Sequence, residues 1–160
     1  MDRKRRIACI AFSGALWMAV GIFLLSLGIT LLNNFITLNG GYYPLASLLT
    51  DYTSRETSAV LLIALGLFIG YFKATKVLHK VAKRTVDQVN TLPADASITA
   101  VFGPRYWLLI ALMMFLGMAI RFFGVPEDVR GLIDVAVGSA LLNGSMVYFR
   151  SALEVKASAQ

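Results

Sequence analysis

Four long apolar stretches, separated by short polar connectors, fill most of this 160-residue chain. They run roughly over Ile7–Leu32, Thr57–Phe72, Tyr106–Phe123 and Gly131–Phe149. A helix needs about 20 apolar residues to cross the hydrocarbon core of a bilayer, which is about 30 Å thick. No soluble fold of this length needs four such segments. The pattern predicts an all-α integral membrane four-helix bundle, with residues 1–160 as one transmembrane domain. The charged fraction agrees: it is 15%, where a soluble domain carries about 25%.

The charges predict an orientation. If all four stretches cross and the N-terminus is cytoplasmic, twelve basic residues lie inside: Arg3, Lys4, Arg5, Arg6, Lys73, Lys76, Lys80, Lys83, Arg84, Arg105, Arg150 and Lys156. Only Arg55, Arg121 and Arg130 remain outside. Lysine and arginine concentrate on the cytoplasmic side of membrane proteins. The expectation is a multi-pass protein of the plasma (inner) membrane with both termini in the cytoplasm. The basic N-terminus is followed by an apolar run too long for a cleaved leader, so stretch one reads as an uncleaved signal-anchor. The net charge of +6 then reflects topology and attraction to anionic lipid, not a nucleic-acid site.

The connectors carry local signals. Asn39-Gly40-Gly41 is a turn, and Tyr42-Tyr43-Pro44 suits a membrane boundary, where amphipathic rings sit among headgroups. The short apolar piece Leu45–Leu49 cannot span; it lies on the outer surface or dips in as a re-entrant segment. Phe123-Gly124-Val125-Pro126-Glu127-Asp128 reads as a helix stop, a turn and a restart. Between stretches two and three, Leu78, Val81, Ala82, Val86 and Val89 recur at helical spacing opposite Lys76, Lys80 and Lys83. This predicts a basic amphipathic segment over about 73–90, in which Lys73, Lys76, Lys80, Lys83 and Arg84 meet lipid headgroups. His79, alone among lysines, reads as a surface residue.

Tyr71-Phe72-Lys73 and Tyr148-Phe149-Arg150 end stretches two and four, and Leu27-Gly28 matches Leu116-Gly117. These matches raise the expectation of two tandem two-helix repeats in parallel orientation, related by an axis along the membrane normal.

Between lipid tails, helices associate by close packing more than by hydrophobic drive, and small residues permit it. Gly14, Gly21 and Gly28 recur every seven residues in stretch one, and Gly66 and Gly70 stand four apart in stretch two, followed by Ala74. These, with Gly138, are the expected helix-packing positions; their partner is this chain or another copy. Stretch four is polar on two opposed sides. Asp134, Gly138, Leu141, Ser145 and Tyr148 share one, and Ser139, Asn143 and Arg150 the other. Such a helix should sit centrally, or between its own chain and another subunit. An ionised residue within a span is costly and demands a reason. Asp134, with Arg121 and Arg130 in plausible reach and Asn143 deeper, forms the candidate ion or transport set. The alternative for Asp134 is a structural pair with arginine, and for Asn143 a cross-helix hydrogen bond.

No catalytic motif, phosphate loop, cysteine pair or carboxylate–histidine cluster occurs; Cys9 is the only cysteine and His79 the only histidine. No enzyme, cofactor or metal is expected. The leading expectation is a non-enzymatic subunit that forms a homo-oligomer or joins a larger membrane complex. The others are a small oligomeric transporter or channel using Asp134, and a lipid-surface protein acting through 73–90. Small multidrug transporters are also four-helix chains of about this size, but that type needs a carboxylate in its first helix, and Ile7–Leu32 has none.

Overall fold

The computed structural model describes residues 3–37, 42–74, 76, 84, 108, 111, 115 and 117–157. Every element among them is helical, with no strand. α1 spans Arg3–Thr37, α2 Pro44–Thr50, α3 Arg55–Lys73 and α4 Glu127–Ala157. α1, α3 and α4 are long and apolar enough to cross a membrane. Stretch three and the segment 73–90 lie mostly outside the described residues, so a fourth spanning helix and the basic amphipathic segment are not described. Residues 117–122 are helical.

The helix ends follow local chemistry. α3 starts at Ser54, whose hydroxyl accepts from the Thr57 amide at 3.3 Å, replacing one of the bonds a first turn lacks. The turn before α4 is a Schellman stop: Gly124 has φ +64°, its amide donates to the Arg121 carbonyl at 3.4 Å, and Val125 donates to Ile120 at 3.4 Å. A left-handed φ favours glycine there. Pro126 follows, and Glu127 and Asp128 occupy the positive first turn of α4.

α4 is the central helix. Of its most apolar window 44% is buried, against 22% for α1 and 28% for α3. α1 makes the largest contact with it, and α3 the next. On the α1 side, a β-carbon at Gly28 would stand 2.7 Å from the Gly131 carbonyl, and one at Gly21 would stand 3.0 Å from the Gly138 carbonyl. A β-carbon at Gly14 would meet Tyr148 at 3.0 Å. Numbers fall along α1 as they rise along α4, so the two are antiparallel. Gly131 and Gly138 stand seven residues apart, like their partners Gly28 and Gly21. A seven-residue repeat keeps one stripe in contact over many turns.

On the α3 side, a β-carbon at Gly66 would approach Val135 Cγ1 at 2.9 Å, and one at Gly70 would collide with Ser139 Oγ and the Ala136 carbonyl. Numbers rise together, so α3 and α4 are parallel. All six expected packing glycines therefore stand at contacts within the chain. The register does not follow the expected repeat. An axis along the membrane normal would set Tyr71 level with Tyr148 and Gly70 level with Val147. Gly70 meets Ser139 instead, eight residues or about 12 Å away. Where small residues let two backbones meet fixes the height, and Val147 offers no such place.

Hydroxyls in the spans turn back onto their own helices. Ser13 donates to the Cys9 carbonyl at 3.0 Å, Thr30 to Ser26 at 2.8 Å, Ser139 to Ala136 at 3.1 Å and Ser145 to Leu142 at 2.7 Å. Their polarity is satisfied locally, as a low-dielectric surround requires. What Ser139 and Ser145 bring to the contacts is small size.

Candidate functional site

Among the described residues, hydrogen bonds between α4 and the segment leading into α2 gather at the end where α2 lies. α2 begins with Pro44, which has no amide hydrogen, so its first free donors are Leu45 and Ala46. Tyr43 precedes it and supplies no side-chain cap. Asp128, from the first turn of α4, fills that role. Its Oδ2 accepts from the Leu45 amide at 2.7 Å and the Ala46 amide at 3.0 Å, and its Oδ1 accepts from the Val129 amide at 2.8 Å. The carboxylate is fully buried and each oxygen is satisfied. Such charge-assisted bonds are about twice as strong as neutral ones.

Beside it, the Tyr43 hydroxyl donates to Glu127 Oε2 at 3.3 Å. Burial, the Glu127 and Asp128 charges and this bond all hold the Tyr43 hydroxyl above its usual range. Its ring packs edge-on against Phe35 at 5.1 Å, and the Arg55 guanidinium lies 5.8 Å from the Phe35 ring centre. Below these groups Leu32, Phe35, Tyr43, Ala46, Ala59, Leu62 and Val135 form one buried cluster. The short apolar piece Leu45–Leu49 falls within α2. It is docked on α3 and α4 with Ala46 wholly buried, because its N-terminus is tied to α4.

Asp134 lies two turns further along α4. It is part-exposed, and its Oδ2 is buried with no hydrogen-bond partner. No hydrogen bond joins that oxygen to either expected arginine; Arg130, one turn earlier, is part-buried and acts on Asp134 through its charge, and Arg121 is exposed. Among the described residues, Asn143 bonds to its own helix: its Nδ2 donates to the Ser139 carbonyl at 2.9 Å, one turn back. The four candidates are therefore not drawn into one cluster. Among the described residues no group of His, Cys, Asp or Glu could hold a metal ion. Of the headgroup set, Lys73, Lys76 and Arg84 are exposed, and Lys80 and Lys83 lie outside the described residues.

The residues that sequence reasoning missed are Asp128 and Tyr43. The available signal was a proline-initiated helix with no Ser, Thr, Asp or Asn before it, which leaves two donors seeking a remote acceptor. No family model, curated protein or solved structure matches this chain.

Proposed function

We propose that this protein is a non-enzymatic membrane subunit, in which a tight three-helix unit presents a further apolar segment, 106–123, to another copy or to a larger membrane complex. One observation carries the reading. The small-residue faces of α1, α3 and α4 are used up inside the chain, whereas Gly117 has nothing within 4 Å. Leu108, Phe115, Met118, Phe122 and Phe123 around it are exposed. α3 and α4 are parallel, so the chain leaves the bundle at one end after Lys73 and re-enters at the other before Glu127. A fourth crossing by 106–123 provides that return and completes the four-helix arrangement. Helix directions also gather the start of α1, with Arg3–Arg6, and the ends of α3 and α4, with Lys73 and Arg150, at one end. This supports a plasma-membrane orientation with both termini cytoplasmic.

The test is mass in mild detergent or lipid nanodiscs, together with copurification from native membranes. A defined mass above the monomer, lowered by Gly117→Ile, is the expected result. A monomeric wild type without a copurifying partner rejects the proposal.

A second reading, a small oligomeric transporter, is favoured by the unpartnered Asp134 Oδ2, since carboxylates within spans mark ion paths. Proteoliposomes should then show an ion flux that Asp134→Asn abolishes; no wild-type flux of protons, cations or anions removes it.

A further inference from the structure

We infer that Lys73 and Lys76 bind the phosphate of one anionic phospholipid, in the leaflet at the basic end of the bundle. The inference narrows the lipid-surface reading to a single site and does not depend on assembly with a partner.

The register carries it. Gly66 meets Val135 and Gly70 meets Ser139, a constant offset of 69 residues. The same offset sets Lys73 level with Leu142 and Lys76 level with Ser145. Arg150 stands eight residues beyond Leu142, about 12 Å further out. The antiparallel pairing of α1 places Arg3–Arg6 further out still, beside the last turns of α4. The apolar stretch of α4 runs on to Phe149. The two lysines therefore enter the bilayer ahead of Arg150 and Arg3–Arg6, alongside residues that are still apolar on the neighbouring helices.

A lysine stem of four carbons covers only part of that distance by snorkelling. Lys76 does not attempt it. Its Nζ lies 4.4 Å from the centre of the Phe72 ring, one turn back toward the apolar part of α3. Phe72 is itself half exposed, and both lysines are exposed. Among the described residues neither has an acidic partner. Two compact ammonium groups one turn apart, one resting on an aromatic face, call for an anion that arrives from the bilayer. A phospholipid phosphate meets that demand: it offers several acceptors to three-donor ammonium groups, and its acyl chains lie against the exposed face of α3, which includes Phe68, Tyr71 and Phe72. Free phosphate shares the headgroup chemistry but has no reason to enter at this depth.

Purified full-length protein in nanodiscs of phosphatidylcholine, with and without phosphatidylglycerol, separates the cases by the lipid that survives transfer to the gas phase in native mass spectrometry. Wild type should retain one phosphatidylglycerol in preference to phosphatidylcholine. Lys73→Gln with Lys76→Gln should weaken that retention about thirty-fold, at about tenfold or less per lysine. Arg150→Gln should leave it unchanged, and thermal unfolding of all three should coincide, since the side chains are exposed. Equal retention of the two lipids by wild type, or unchanged retention in the double variant, overturns the inference. Displacement of the lipid by millimolar inorganic phosphate overturns its lipid character.

Discussion

α4 meets its two neighbours in different ways. Toward α1 the contact is glycine on glycine, with Gly28 against Gly131 and Gly21 against Gly138. Backbone approaches backbone, and the seven-residue repeat continues the contact to Gly14 and Tyr148. Toward α3 the glycines stand on one helix only. Gly66, four residues before Gly70, receives the Val135 side chain, and Gly70 receives the Ser139 side chain and the Ala136 carbonyl. Four-residue spacing favours helices that cross and then separate, which suits the smaller interface. The first contact is long and self-sufficient. The second is short and is flanked by α2, which packs on both α3 and α4. Spacing of small residues thus sets how far two helices stay together, and on which side of α4 extra support is needed.

The largest effect should come from filling the two faces with the same methyl group. Gly28→Ala drives its β-carbon to 2.7 Å from the Gly131 carbonyl and the Val135 amide. Backbone atoms cannot withdraw, so the variant should lose about 3 kcal/mol, and Val135→Ala should not restore it. Gly66→Ala meets mainly the Val135 side chain, at 2.9 Å. It should cost about 1 kcal/mol, with a favourable coupling of similar size in the double variant with Val135→Ala. Thermal unfolding in detergent measures both. Equal rescue on the two faces would erase the distinction.

Next in size is Asp128→Ala. It leaves the Leu45 and Ala46 amides without their acceptor and should cost about 2 kcal/mol. Hydrogen exchange should rise in 45–49 and along the α3 side of α4, while the α1 side stays protected. Uniform loosening of both sides would mean that α2 supports the whole bundle.

The smallest effect concerns Tyr43. Its hydroxyl is held protonated in the fold, so its contribution is complete below the ordinary tyrosine range and disappears as pH rises through the raised folded value. Ultraviolet titration should reveal one late-titrating tyrosine, absent in Tyr43→Phe and moved toward the ordinary range by Glu127→Gln. A stability loss that begins near neutral pH would assign the alkaline sensitivity to another group.

Much of the architecture is legible from the residues alone. The apolar runs locate α1, α3 and α4, and Gly124-Val125-Pro126 marks the turn before α4. Glycine spacing identifies contact positions, because only a missing side chain admits a backbone in lipid. It does not say which helix each glycine meets: that depends on register. Asp128 is illegible for another reason. Its partners are backbone amides 82 and 83 residues away, and amides leave no trace in residue identity. Asp134 and Asn143 stand out as polar residues in a span, yet their surroundings depend on which neighbours come close. For Asn143 the nearest acceptor is its own helix.

The staggered register also bears on the membrane itself. Carried onto the α4 scale, the apolar stretch of α3 corresponds to residues 126–141 and that of α1 to 127–152. These are about 24 Å and about 39 Å of helix, on either side of a hydrocarbon core of about 30 Å. A short apolar belt thins the adjoining bilayer, and a long one thickens it or tilts the helix. The molecule therefore presents unequal hydrophobic thickness around its circumference. A bilayer that adapts to each side is expected to be thinner beside α3 than beside α1.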